Sequence, residues 1–101
     1  MLAAFLVGLT APALAAYISG TEIYDKYVSS KPTDTYYCLA YITGSFDQLE
    51  DYEECECVPS NASVGQIKDV VIAYLQKFPQ SRHFSAASLI RNSINYAFCK
   101  N

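Results

Sequence analysis

The chain has 101 residues, ten acidic and seven basic side chains, a net charge of −3 and no tryptophan. Six of the acids, Asp47, Glu50, Asp51, Glu53, Glu54 and Glu56, fall together without a base. That pattern excludes a nucleic-acid binder, which needs a basic stripe to displace counterions. The length allows one domain and not two.

The first segment, Met1 to Ala15, is apolar from Leu2 to Leu9, breaks at Pro12 and ends in Ala13-Leu14-Ala15. It reads as a cleaved secretory signal peptide, since small residues flank the cleavage site. A membrane span is disfavoured because the apolar run falls short of the roughly 20 residues that cross a bilayer. Cleavage after Ala15 makes residues 16–101 the mature domain, with no membrane segment.

The spacing then predicts four helices. The first covers about 21–29, capped by Gly20 or Thr21, with Ile23, Tyr24, Tyr27 and Val28 on its apolar side. Pro32 ends it, because proline cannot continue a helix and biases Lys31 away from the helical region. The second covers about 34–51, with Thr33, Asp34 and Thr35 as N-cap candidates. Its apolar positions are Tyr37, Cys38, Tyr41, Ile42, Ser45, Phe46 and Leu49. Gly44 interrupts it at a cost of about 1 kcal/mol, which predicts close approach of another helix, or a bend.

The third helix carries the clearest signals. Ser63 with Gln66 forms a capping box, and Pro79 closes the other end. Between them Val64, Ile67, Val70, Val71, Tyr74, Leu75 and Phe78 recur at steps of three and four on one apolar face. After the turn Gln80 to Phe84, Ser85 is the predicted cap of a fourth helix ending near Phe98. Ala86, Leu89, Ile90, Ile94, Ala97 and Phe98 are its inward residues. The fold class is all-α, a small four-helix domain.

A domain of this size has a marginal core, so staples matter. Cys38, Cys55, Cys57 and Cys99 follow a secretion signal, and an even count there reads as two disulfides. A zinc site is disfavoured, because Cys55-x-Cys57 lacks the usual spacer and the single histidine, His83, is remote. No cofactor is expected. Proximity favours Cys99 with Cys55 or Cys57, since the fourth helix returns to the start of the third. The expected pairing is Cys38 with Cys57 and Cys55 with Cys99.

With helices and cysteines placed, ordered motifs resemble a known family. Cys38-Leu39-Ala40-Tyr41-Ile42-Thr43-Gly44 with Asp47 is similar to a C-x-G-Y-x-x-G-x-x-D segment. Cys57-Val58-Pro59, then Gly65-Gln66, Val70-Val71, Tyr74-Leu75 and Pro79 resemble a C-x-P, L-G-Q and V-V-x-x-Y-L-x-x-x-P run. His83, Ala86-Ala87 and Leu89-Ile90 through Phe98-Cys99 resemble the last helix. The family is the Tai/Rap immunity proteins, antidotes to type VI secretion peptidoglycan amidases. The chain departs from it in Ala40 for glycine, in Phe98 directly preceding Cys99, and in Cys55 in place of an earlier cysteine near Tyr27.

The resemblance implies a periplasmic protein, often a homodimer, that binds and occludes a secreted peptidoglycan amidase effector. The residues agree with a non-enzyme. A nucleophile needs a base within hydrogen-bond reach, and one histidine among oxidised cysteines offers no dyad. The candidate partner-binding residues are Glu50, Glu53 and Glu54 in the acidic run and Arg82, His83 and Phe84 in the turn. Among the nine tyrosines, Tyr36, Tyr52 and Tyr96 suit an interface better than a core. The alternative reading is an orphan periplasmic helical protein, structural or an acid-stress chaperone, with no toxin partner.

Overall fold

A computed structural model describes residues 17–51 and 57–99. Within them lie four α-helices: α1 Gly20–Val28, α2 Pro32–Asp51, α3 Val64–Lys77 and α4 Ala86–Phe98. A single 3-10 turn, Pro79–Ser81, follows α3. Each of the four helices packs against the other three. The expected all-α, four-helix architecture is thus present. The signal peptide expected over 1–15 falls outside the described residues, as do Tyr52, Glu53, Glu54, Cys55 and Glu56.

The helix starts follow from caps. Ser63 accepts from the amide of Gln66 at 3.1 Å, and Ser85 accepts from that of Ser88 at 3.2 Å, so the predicted caps of α3 and α4 hold. The cap of α1 is Ser19, ahead of Gly20 and Thr21, with its hydroxyl accepting from Glu22 at 3.1 Å. Helix α2 begins at Pro32, earlier than Thr33, Asp34 or Thr35. Proline suits the first helical turn, where its missing N–H would have had no intrahelical partner. The amides of Asp34 and Thr35 both donate to the Lys31 carbonyl. Pro32 therefore ends one helix by opening the next, and only three residues separate α1 from α2.

The starts of α1 and α4 are tied to each other. Ser19 and Ser85 form an isolated antiparallel bridge. The Gly20 amide donates to the Phe84 carbonyl at 2.9 Å, and the Ala86 amide donates to that of Ile18 at 2.6 Å. Thr21 adds an amide bond of 2.7 Å to the Arg82 carbonyl. Helix N-termini leave unsatisfied amides, and here two of them in α1 and one in α4 are satisfied across the fold. The approach is close enough that a Cβ on Gly20 would collide with the Leu89 side chain and lie 2.9 Å from the Arg82 carbonyl oxygen. Glycine is required there by space.

The core is built from Ile23 of α1, Cys38, Ile42 and Leu49 of α2, Ile67, Val71, Ile72 and Leu75 of α3, and Ala86, Leu89, Ile90 and Ile94 of α4. Burying each large aliphatic side chain contributes about 1.5–3 kcal/mol. Ile72, off the expected stripe, is buried because α3 is covered on three sides by the other helices. Val64 and Ala97, expected inward, are exposed at the outer ends of their faces. Ser93 is buried, and its hydroxyl donates to the Ile90 carbonyl at 2.7 Å. Gly44 does not meet another helix. A Cβ there would find nothing within 4 Å, so the expected close approach within the chain is absent.

The disulfide pattern differs from expectation. Cys57 is bonded to Cys99, with Cα atoms 5.2 Å apart and a sequence separation of 42. Cys38 is a free thiol, 2% exposed. The expected Cys38–Cys57 and Cys55–Cys99 pairs are therefore replaced. The reason is the antiparallel return of α4 beside α3, which sets Cys99, its C-cap, against Cys57 before the start of α3. Cys38 meanwhile is part of the buried core, beneath a groove lined by Tyr27, Leu39, Val64 and Lys68. Burial raises its thiol above the ordinary 9.0, with nearby Lys68 opposing, so at neutral pH it remains a protonated core residue.

Closing a loop of this length stabilises the fold by about 4 kcal/mol in the chain-entropy view. Non-reducing peptide mapping is expected to recover a Cys57–Cys99 linked pair, and Cys38 should alkylate only after denaturation. Gly20→Ala is expected to destabilise by about 1–3 kcal/mol through overpacking, read as a lower midpoint in urea with an unchanged slope.

Candidate interaction surface

No group of three metal-ligating side chains exists among the described residues, and no described helix is long and apolar enough to cross a membrane. Every buried side-chain nitrogen or oxygen among them has a hydrogen-bond partner. What the fold presents is surface, and its best-defined projecting part is the turn between α3 and α4.

This turn is built by successive local bonds. Phe78 caps α3, its amide donating to the Tyr74 carbonyl at 3.0 Å. Pro79 then opens the 3-10 turn, and the Ser81 and Arg82 amides close back on Phe78 and Pro79. Arg82 is half-buried and turned inward. Its Nε donates to the Leu75 carbonyl at 2.7 Å, and its guanidinium carbon sits 4.0 Å above the Tyr24 ring centre. Its own carbonyl accepts from both the amide and the hydroxyl of Thr21. His83 and Phe84 point the other way. Both are exposed, Phe84 by 54%, and their rings are in tilted contact, with centroids 4.2 Å apart and planes at 35°.

The acidic surface lies on another part of the molecule. Asp47 and Glu50 are exposed on the last turns of α2, where no basic side chain offsets the negative end of the helix dipole. Glu53 and Glu54 lie outside the described residues.

Two grooves accompany these surfaces. One, of about 490 Å³, runs between α2 and α4 and is lined by Ala40, Gly44, Gln48, Ala87, Ser88 and Arg91 among others. The other, of about 350 Å³, is lined by Tyr27, Leu39, Val64 and Lys68, with Cys38 at its base. Tyr36 is the most open of the large apolar side chains among the described residues, at 71%. Tyr96 joins Tyr74 and Phe78 in a cluster with ring centroids 4.8 to 5.7 Å apart. Tyr52 is outside the described residues.

A family model of the Rap1a immunity proteins matches residues 13–99. The chain belongs to this family. No curated protein and no solved structure matches it. The match spans all four helices and both cysteines of the observed disulfide, so this Rap1a immunity protein carries its family identity in its whole scaffold.

Sequence reading placed the turn correctly but did not distinguish inward Arg82 from outward His83 and Phe84. A signal was available, since an arginine shortly after a helix end is suited to capping its last carbonyls. Asp34, expected as a cap, instead holds the α1–α2 junction. It accepts from the Ser29 hydroxyl at 2.7 Å and from Lys26 at 3.4 Å. The Ser29 bond, supported by Lys26, holds the Asp34 carboxyl below its ordinary 3.8 against a smaller opposing effect of desolvation. A carboxyl whose folded-state value is depressed stabilises the fold fully above the unfolded value and loses that effect as pH falls through the folded one. Asp34→Asn is therefore expected to lower the melting temperature at pH 7, with the difference from the parent chain vanishing in titrations carried below the folded value.

Proposed function

We propose that this Rap1a immunity protein acts in the periplasm, after removal of its signal peptide, by binding and occluding a peptidoglycan amidase delivered by type VI secretion. The family match over residues 13–99 carries the reading. The protein supplies no chemistry. It fills the substrate groove with a preformed edge, and the effector, not the inhibitor, holds the reacting groups.

The turn supports this role because it costs little to bind with a segment that is already ordered. Arg82 and Phe84 both give their carbonyls to α1 amides, so the contacting His83 and Phe84 rings project from a fixed base. An exposed aromatic side chain on such a base is the kind of anchor that concentrates binding energy. Glu50, with Glu53 and Glu54 beyond it, supplies a negative field that speeds encounter with a basic partner more than it tightens the complex. Whether the complex contains one or two copies is part of the same proposal, with a homodimer as the expected state.

Phe84→Ala is expected to weaken binding to the amidase by about 2 kcal/mol, close to 30-fold, and mainly through faster dissociation. Charge reversal at Glu50, Glu53 and Glu54 is expected to slow association and to flatten its dependence on salt. The measurement is surface binding of the mature chain to purified type VI secretion peptidoglycan amidases, with protection of cells that direct the bound amidase to the periplasm. Full protection by a chain carrying all four substitutions would sink both surfaces. Lack of binding to any cell-wall amidase, with dissociation of an oligomer at low pH, would instead favour the acid-stress chaperone reading.

A further inference from the structure

Arg82 has a position that neither a core residue nor a simple contact residue requires. It lies directly before the contacting His83 and Phe84, and three different elements hold it. Helix α3 offers the Leu75 carbonyl, one of the last four carbonyls that a helix leaves without an intrahelical partner. Helix α1 offers the Tyr24 ring below the guanidinium and the Thr21 amide and hydroxyl to its carbonyl. The 3-10 turn offers the Pro79 carbonyl to its amide at 3.3 Å.

The chemistry of arginine suits this place and that of lysine does not. A planar guanidinium can stack on an aromatic face while its Nε donates in its own plane, whereas an ammonium is a compact point charge without that fork. The side chain also bonds the carbonyl of a residue seven positions earlier, so it closes the turn on itself. On the other side of His83, Phe84 is fixed by the Gly20 amide at 2.9 Å. His83 is thus the only residue between two anchored neighbours, and its ring has the Phe84 ring to lie against.

We propose that Arg82 is a positioning residue for the binding turn. It holds His83 and Phe84 in their projecting arrangement through Leu75 and Tyr24 and makes no direct contact with the effector. This rests on the reading of the turn as the effector-binding surface. A turn populated in its competent form for only a fraction of the time binds with an affinity reduced by that fraction, so loosening Arg82 weakens binding without removing any contacting atom.

The test uses Arg82→Lys, which keeps charge and stem, and Tyr24→Leu, which removes the ring and keeps an apolar side chain. Two-dimensional NMR of the free mature chain reads the clamp without any partner. In both variants the cross-relaxation between the His83 and Phe84 rings is expected to disappear. Amide exchange at Thr21 should quicken about tenfold, while amides in the middle of α3 remain protected. Binding to a type VI secretion amidase that the parent chain binds is then measured for Arg82→Lys, Phe84→Ala and the double variant. Arg82→Lys alone should cost about tenfold, and it should cost nothing further once Phe84 is alanine, because coupled sites are not additive. An additive loss would make Arg82 a direct contact and overturn the proposal. Unchanged ring contacts in Arg82→Lys would overturn it equally. Lost ring contacts with undiminished binding would leave the clamp standing and remove the turn from the effector-binding surface.

Discussion

The antiparallel contact between Ser19 and Ser85 is the constraint on which the arrangement depends. It joins the N-termini of the first and last helices, the two elements most distant in sequence, and satisfies amides that each helix would otherwise leave open. Because both serines also cap their own helices, the same few residues start two helices and lock their relative position. The turn before Ser85 inherits that rigidity. Its carbonyls at Arg82 and Phe84 are consumed by Thr21 and Gly20, so its shape is fixed from α1 and not only from the helices it connects.

At the other end of the α3–α4 hairpin the Cys57–Cys99 bridge performs the corresponding task. One clamp made of hydrogen bonds and one made covalently hold α4 at both ends, with a core of aliphatic side chains between them. For a domain too small for its core to be stable by a wide margin, two fastenings of this kind matter more than any single packed residue. Cys38 contributes as a small apolar group. Burial keeps it protonated, and a buried thiol in that state is inert as a nucleophile or metal ligand.

Function then depends on surface that the scaffold presents. The chain belongs to the Rap1a immunity protein family, and the binding role proposed for it asks for shape and charge. The molecule offers them in separate places. A contacting pair of exposed rings, His83 and Phe84, lies on the α3–α4 turn, and acids crowd the C-terminal end of α2, where the helix dipole makes them unfavourable. Keeping negative charge where it costs stability is consistent with a surface shaped for encounter with a basic partner.

The local signals were legible because they act over a few residues. Ser63 and Ser85 read as caps, Pro79 as a stop, and the three-and-four spacing of Ile67, Val71 and Leu75 as a buried face, since helix geometry alone decides which of them share a side. The sequence by itself therefore determined the all-α class, the four helices, the position of the turn and the family. What it could not determine depends on which helices meet. Ser19 displaced Gly20 and Thr21 as a cap because a strand-like contact with Ser85 orders the segment before α1. Asp34 became the partner of Ser29 and Lys26 because α1 folds back against α2. Cys57 took Cys99 because α4 returns antiparallel to α3, and Arg82 turned inward because Tyr24 from α1 lies beneath it. Each of these is a contact between segments distant in sequence. Their geometry is set by the packing of whole helices, which no local pattern encodes.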